Sequence, residues 1–243
     1  MKYLYLLIAI FTLIGCQTVQ TDVSSEAAVK HNNKTSDTGQ MVYVPVVFSV
    51  KQTKLYSPGK DGNDSLFITV TKTRNDLKLL LDNVNDKFAV IDIQFYLQDV
   101  QYETLAESKA TSFDEIAEKH KNFKGLYVEY YAYRNADFIY GLSMHPWDTP
   151  AMYIKMYSSD NADSVLAHEI GHCLGLKHSW EPDEYVTDVT DEASYVSDGV
   201  SNYINYYNVM NYTDEPLKKL DFTVEQLLRM RAVLFEYRNY LVR

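Results

Sequence analysis

The spacing of apolar and polar positions changes along this chain, and each change predicts an element. Val42 to Val50 (VYVPVVFSV) is β-branched and aromatic and predicts a strand, with Pro45 marking an edge or a bulge. Leu77, Leu80, Leu81, Val84 and Phe88 fall at i, i+3, i+4, i+7 and i+11, one face of a helix that Thr73 or Asn75 could cap. Ile91, Ile93, Phe95 and Leu97 alternate with Asp92, Gln94 and Tyr96, which predicts a half-buried strand. A short capped helix over Ser112 to His120 and a strand over Leu126 to Tyr133 follow. Met152, Ile154 and Met156 alternate with Tyr153, Lys155 and Tyr157 in another short strand, and a helix runs from about Asn161 to Leu174. Residues 179–220 are irregular, polar and acidic. A last helix runs from Val224 to about Leu241. It is opened by a Thr223/Gln226 capping box and carries an apolar stripe of Leu227, Met230, Leu234 and Tyr237 or Tyr240.

Strand–helix–strand–helix–strand order favours an α+β class with an α/β-like N-terminal part, followed by a loop-rich C-terminal third that ends in one helix. Nothing repeats internally. The chain has 243 residues, a length for one generous domain or two small ones.

The N-terminus obeys a different rule. Met1-Lys2 is followed by an apolar run from Tyr3 to Ile14 and then Gly15-Cys16, the layout of a secretory signal peptide. The run is too short for a membrane span of roughly 20 residues. Leu13-Ile14-Gly15-Cys16 resembles the bacterial lipobox, which implies cleavage before Cys16 and lipidation of its thiol. Several acyl chains on Cys16 would hold the protein at a membrane surface, extracytoplasmic in the cell envelope, far more stably than one. Residues 17–40 are rich in Ser, Thr, Asn and Gln and lack aromatics, which suits a flexible tether and equally a short propeptide. The expected organisation is a signal peptide over 1–15, lipidated Cys16 and tether to residue 40, and a folded body over 41–243. The body would divide into an N-terminal part of about 41–175 and a C-terminal part of about 176–243.

Composition removes several classes. Phosphate neutralisation needs a basic face, which a net charge of −10 disfavours, so nucleic acid is not an expected partner. Two cysteines exclude a disulfide scaffold and a Cys-rich metal site.

The candidate chemistry lies in His168-Glu169-Ile170-Gly171-His172-Cys173-Leu174-Gly175-Leu176-Lys177-His178. Residues four apart share a helix face, so His168 and His172 can present imidazoles to one cation. Glu169, one position on, reaches a water beside that cation. Gly175 tolerates positive φ and can end the helix, bringing His178 back to the site. Three neutral imidazoles plus water make a tetrahedral zinc site with an open catalytic position. His31, His120 and His145 read as ordinary core or surface histidines. Cys173 follows a ligand but points about 100° away from it and reads as a small core residue.

HExxHxxGxxH resembles the signature of metzincin metallopeptidases. Tyr207-Asn208-Val209-Met210-Asn211-Tyr212 resembles their Met-turn. The resemblance implies a twisted mixed sheet with backing and active-site helices, Met210 beneath the ligands, and Tyr212 near the metal or the developing oxyanion. It also implies that the strand over Met152 to Met156 forms the upper rim of the cleft. His168–Leu176, Asn208–Tyr212, Phe222–Arg231, Pro45–Phe48 and Ile93–Phe95 are similar to the pappalysin-type peptidases, a likeness spread over most of 42–243 and tight only at these segments. Two features depart from that family: Ser179-Trp180 stands where Thr-Phe is usual, and Cys173, the only thiol after Cys16, leaves no disulfide for the C-terminal part. Matrixins have Pro in place of Tyr212, and archaemetzincins need a cysteine cluster. The family also implies a calcium site in the acidic loop of Glu181, Asp183, Glu184, Asp188, Asp191, Glu192 and Asp198, where a solvated loop is the alternative.

The activity implied is zinc-dependent endopeptidase action on extracytoplasmic proteins or peptides, with Glu169 as general base and Tyr212 as oxyanion donor. The alternative is a silent or narrowly restricted binding or processing lipoprotein of the same fold.

Overall fold

The computed structural model describes residues 40–58, 65–70, 72–104, 113–132, 140–149, 151–181, 183–189, 207–212 and 215–242. The expected signal peptide, Cys16 and the expected tether up to residue 39 lie outside the described residues.

The strands β1 (Val42–Pro58), β3 (Ile93–Thr104), β4 (Leu126–Tyr131) and β6 (Met152–Tyr157) are parallel, and β5 (Gly141–Ser143) closes one edge antiparallel to β6. The order across the sheet is β3-β1-β4-β6-β5, and β2 (Ser65–Val70) pairs antiparallel with the outer half of β1. β1 runs past the Val50 end read from its apolar pattern, because Thr53 to Pro58 pair with β2. From Val46 to Lys51 it is interior, flanked by β3 and β4, and Pro45 sits next to a register shift at Val46/Val47. The proline thus marks a bulge and not an edge strand.

Parallel strands are covered on both faces. Val44, Val46, Phe48 and Val50 of β1, Leu126 and Val128 of β4, and Met152, Ile154 and Met156 of β6 face the main core. Helix α1 (Arg74–Phe88) supplies Leu77, Leu81, Val84 and Phe88 to that core, and helix α3 (Ala162–Cys173) supplies Leu166, Ala167 and Ile170. On the opposite face Val47, Tyr127 and Tyr153 pack with Ile116 of helix α2 (Phe113–His120). The alternation read in β6 is therefore one of two buried faces, and all six of its residues are buried.

The caps follow the sequence. Thr73 accepts from the Asp76 amide and Asp76 returns a bond to the Thr73 amide, opening α1 with a capping box. Thr223 and Gln226 do the same for helix α4 (Val224–Tyr237), which ends earlier than its apolar stripe suggested and continues as a 3₁₀ turn over Asn239–Leu241. The class is α+β, a mixed sheet between helices followed by a largely irregular C-terminal part that closes on α4. No helix among the described residues is long and apolar enough to cross a membrane.

Candidate metal centre

Helix α3 is buried almost all round, lying between the sheet and the C-terminal part. It ends where a glycine permits it. Gly175 takes φ +86, the Gly175 amide donates to His172 O (2.9 Å) and the Leu176 amide to Gly171 O (2.9 Å), a Schellman turn. The turn does a second job. It carries the Leu176 carbonyl to within 2.8 Å of His172 Nδ1. His168 Nδ1 finds the Val209 carbonyl at 2.8 Å. A carbonyl only accepts, so both Nδ1 atoms carry the proton and both Nε2 atoms present lone pairs.

Those two Nε2 atoms face each other at 3.1 Å. Two lone pairs cannot bond each other, and a cation between them resolves the conflict. A tetrahedral ion with Zn–N bonds of about 2.0–2.1 Å needs its nitrogens about 3.3 Å apart, close to this separation. His178 completes the group: one donor atom from each of His168, His172 and His178 lies within 4.8 Å of the others. Burial pushes the His168 imidazolium down to about 3 and the His172 imidazolium down to about 4, so both rings are neutral and ready to ligate at neutral pH. This donor set fits zinc, and it is the one group among the described residues with such a geometry.

His178 lies beyond the helix and is held by other means. Its amide donates to Glu181 Oε2 (3.0 Å), and its Nδ1 lies 3.3 Å from the same oxygen. Partial burial raises the Glu181 carboxyl, but the His178 amide bond together with the attraction of the His178 and His172 rings outweighs it and holds the group below its ordinary value. Trp180 stacks flat on the His178 ring (4.4 Å between centroids, 4° between planes). Tyr212 meets His178 edge-on at 4.8 Å, Trp180 at 4.7 Å and His168 at 5.8 Å, and is 63% exposed. The site therefore opens to solvent on the His178–Tyr212 side.

Asn208 to Asn211 form a tight turn closed by the Asn211 amide on Asn208 O (3.1 Å), with the Met210 amide on Asn208 Oδ1 (2.8 Å). Its Val209 carbonyl serves His168, and its Met210 carbonyl accepts from the Ser179 amide (3.1 Å) beside His178. Met210 is fully buried with its sulfur against Gly171, between the two helical histidines in sequence. Glu169 is 6% exposed. Burial pushes its carboxyl up to about 7 against the pull of a 2.5 Å bond from the Ser143 hydroxyl.

His168, His172 and His178 are thus brought to one place with Tyr212 against His178, Met210 lies under the same helix at Gly171, Glu169 follows His168 on that helix with its carboxylate against β5, and Cys16 lies outside the described residues. Cys173 is fully buried, its thiol pushed up to about 12 by burial, and stands outside the histidine group. Sequence reasoning missed Ser143, Glu181 in its bond to His178, and His145, whose ring meets His172 edge-on at 5.2 Å. No local pattern announces any of the three.

One expectation is corrected, and a second finds no support. The strand over Met152 to Met156 is not the rim: it is interior, and β5 over Gly141–Ser143 stands at the edge. Three residues are too few to show a period. The calcium site is not supported either. The described acidic residues of that loop have other work: Asp183 accepts from the Tyr185 amide, and Asp188 from the Thr223 hydroxyl and the Glu225 amide. Asp191, Glu192 and Asp198 lie outside the described residues.

Residues 148–235 match the family model described as Peptidase_M43: Pregnancy-associated plasma protein-A. No curated protein matches the sequence. Among solved structures, one described as "Structure of a chaperone-substrate complex" is similar at 14% identity and a TM-score of 0.42, over 84% of this chain and 36% of that one. Another is the "Crystal Structure of metalloproteinase-II from Bacteroides fragilis", at 12% identity and a TM-score of 0.39, over 80% of this chain and 56% of that one. The chain thus spans about a third of the first and just over half of the second. Residues 148–235, which hold His168, Glu169, His172, His178 and Met210, are thus similar to the pappalysin-like metzincins, a family of zinc metallopeptidases.

Proposed function

We propose that this chain is a zinc-dependent endopeptidase in which His168, His172 and His178 hold the metal and Glu169 moves the proton. The observation that carries the reading is the pair of buried, unprotonated Nε2 atoms 3.1 Å apart, on a helix that also carries the buried carboxylate of Glu169. Zinc, when bound, acidifies a water and polarises the scissile carbonyl. Glu169 takes the proton of the attacking water on its carboxylate and returns it to the leaving amine nitrogen. A carboxyl raised by burial suits both halves of that task, since it neither binds a proton too weakly nor keeps it. Tyr212, exposed and edge-on to His178, donates its hydroxyl to the developing oxyanion. The Val209 and Leu176 carbonyls keep His168 and His172 in the ligating tautomer throughout.

The protein comprising residues 17–243 and its Glu169→Ala variant test this. Elemental analysis is expected to find zinc in both. Cleavage of a quenched mixed-peptide library is expected to fall by about 10²–10⁴-fold in the variant. Zinc in both with cleavage by neither would shift the reading to a binding or narrowly restricted processing protein.

The substrates proposed are extracytoplasmic proteins or peptides, on the strength of Leu13-Ile14-Gly15-Cys16 alone. Cys16→Ser is expected to abolish fatty-acid labelling and to release the protein from the membrane fraction. Labelling that survives this change would remove the anchor.

A further inference from the structure

The edge strand β5 carries two residues that act on Glu169 and that the mechanism above leaves unused. The Ser143 hydroxyl donates to Glu169 Oε2 at 2.5 Å. Gly141, two residues earlier and so on the same face of the strand, lies against the rest of the carboxylate. A Cβ there would stand 2.5 Å from Glu169 Oε1, 2.7 Å from Cγ and 2.8 Å from Cδ. Real Cβ contacts are not that short, so any side chain at 141 drives the carboxylate away. The strand itself is fixed by its register on β6, Gly141 opposite Met156 and Ser143 opposite Ile154. β6 is an interior strand, so this register is anchored in the core.

We infer that Ser143 is a positioning residue for Glu169, and that Gly141 is the space in which Glu169 is positioned. Glu169 sits on α3 with its carboxylate at the end of two flexible bonds beyond Cβ, and nothing on α3 itself bonds it among the interactions seen. The charge-assisted bond from Ser143 fixes one oxygen, and the bare Cα of Gly141 lets the carboxylate lie flat against β5. A base held in one orientation loses little entropy when it reacts, while a base free to rotate samples unproductive arrangements. This inference rests on the reading of Glu169 as the base. Its geometric content, that β5 fixes where the Glu169 carboxylate lies, stands apart from that reading.

The test compares wild type, Ser143→Ala, Ser143→Thr and Gly141→Ala, all zinc-loaded, in three measurements. Ser143→Ala is expected to lower kcat by about 10- to 100-fold with KM within about twofold, the loss of one hydrogen bond to a charged group. Ser143→Thr, which keeps the hydroxyl, is expected to restore most of it. Zinc affinity, measured by competition with a chromogenic chelator, is expected to be the same in wild type and Ser143→Ala, since Ser143 touches no histidine of the site. Crystal structures of Ser143→Ala and Gly141→Ala are expected to show the Glu169 carboxylate moved or split between rotamers. Unchanged kcat in Ser143→Ala, a matching loss of zinc affinity, or a Glu169 carboxylate left in place would each overturn the inference. A wild type that cleaves nothing would instead count against the peptidase reading, and the crystallographic comparison would then decide the positioning role alone.

Discussion

His168 and His172 are prepared as candidate ligands by what stands behind them. A histidine on a helix can adopt either tautomer, and the carbonyls of Val209 and Leu176 select one for each ring. The third ring depends on a carboxylate, since Glu181 holds both the amide and the ring of His178. Glu181→Gln is expected to weaken zinc binding by about 10- to 100-fold, measured by competition with a chelator. Tyr212→Phe is expected to leave zinc binding alone and to lower kcat by about 10²–10³-fold, the cost of one oxyanion donor. The histidine spacing was legible in the sequence because i, i+4 neighbours meet on any helix and Gly175 signals the stop. The Glu181 contact was hidden within an acidic run, and the Ser143 contact joins residues 26 apart through the packing of a strand on a helix.

At the scale of elements, the close approach of α3 to the turn at Asn208–Asn211 is set by a missing side chain. Gly171 leaves room for the Met210 sulfur, and a Cβ there would overlap it. Gly171→Ala is expected to destabilise the fold by about 1–3 kcal/mol, read from a urea midpoint. The C-terminal part is pinned by cap chemistry as much as by apolar contact. The Thr223 hydroxyl serves the Gln226 amide and also donates to Asp188 at 2.6 Å, while Glu225 accepts from the Thr187 hydroxyl and the Asp188 amide. Thr223→Ala is expected to cost about 1–2 kcal/mol in the same assay, at the upper end for an N-cap because two bonds are lost. Capping boxes were readable because each lies within four residues. The Asp188 partnership was not, since it spans a loop. Arg238, just past the end of α4, is fully buried and donates to Thr149 O (2.8 Å) and Cys173 O (3.4 Å), tying α4 to the end of α3.

Over the whole molecule, the sheet separates two chemistries. One face holds the core and the helix that carries the site. The other holds a buried ionic network in which Lys51 meets Glu103 (2.5 Å) and Glu129 (3.3 Å), and Glu129 also accepts from Tyr131 and Tyr153 (3.0 Å each). The bond from Lys51 holds the Glu103 carboxyl below its ordinary value. A depressed carboxyl stabilises fully above its unfolded pKa of about 4.3, and the contribution is lost as pH falls through the folded value. Glu103→Gln should therefore be less stable than wild type at pH 7, by about 0.2–1 kcal/mol for a half-exposed carboxylate, and the gap should close in acid. A metal held by all three histidines would tie α3, which carries His168 and His172, to the segment beyond it, which carries His178. Free zinc at 1,000 times its dissociation constant is expected to stabilise the fold by about 4 kcal/mol, and a chelator should lower the melting temperature accordingly. What the sequence alone determined was local: the helical and strand periods, the caps, and three histidines at a spacing that only a helix followed by a turn can bring together. Tertiary structure decided which strand is interior and which forms the edge, that β5 exists at all, and that Gly141 and Ser143 lie on Glu169. Those facts depend on pairing and packing between segments far apart in the chain, where no residue's neighbours in sequence carry the information.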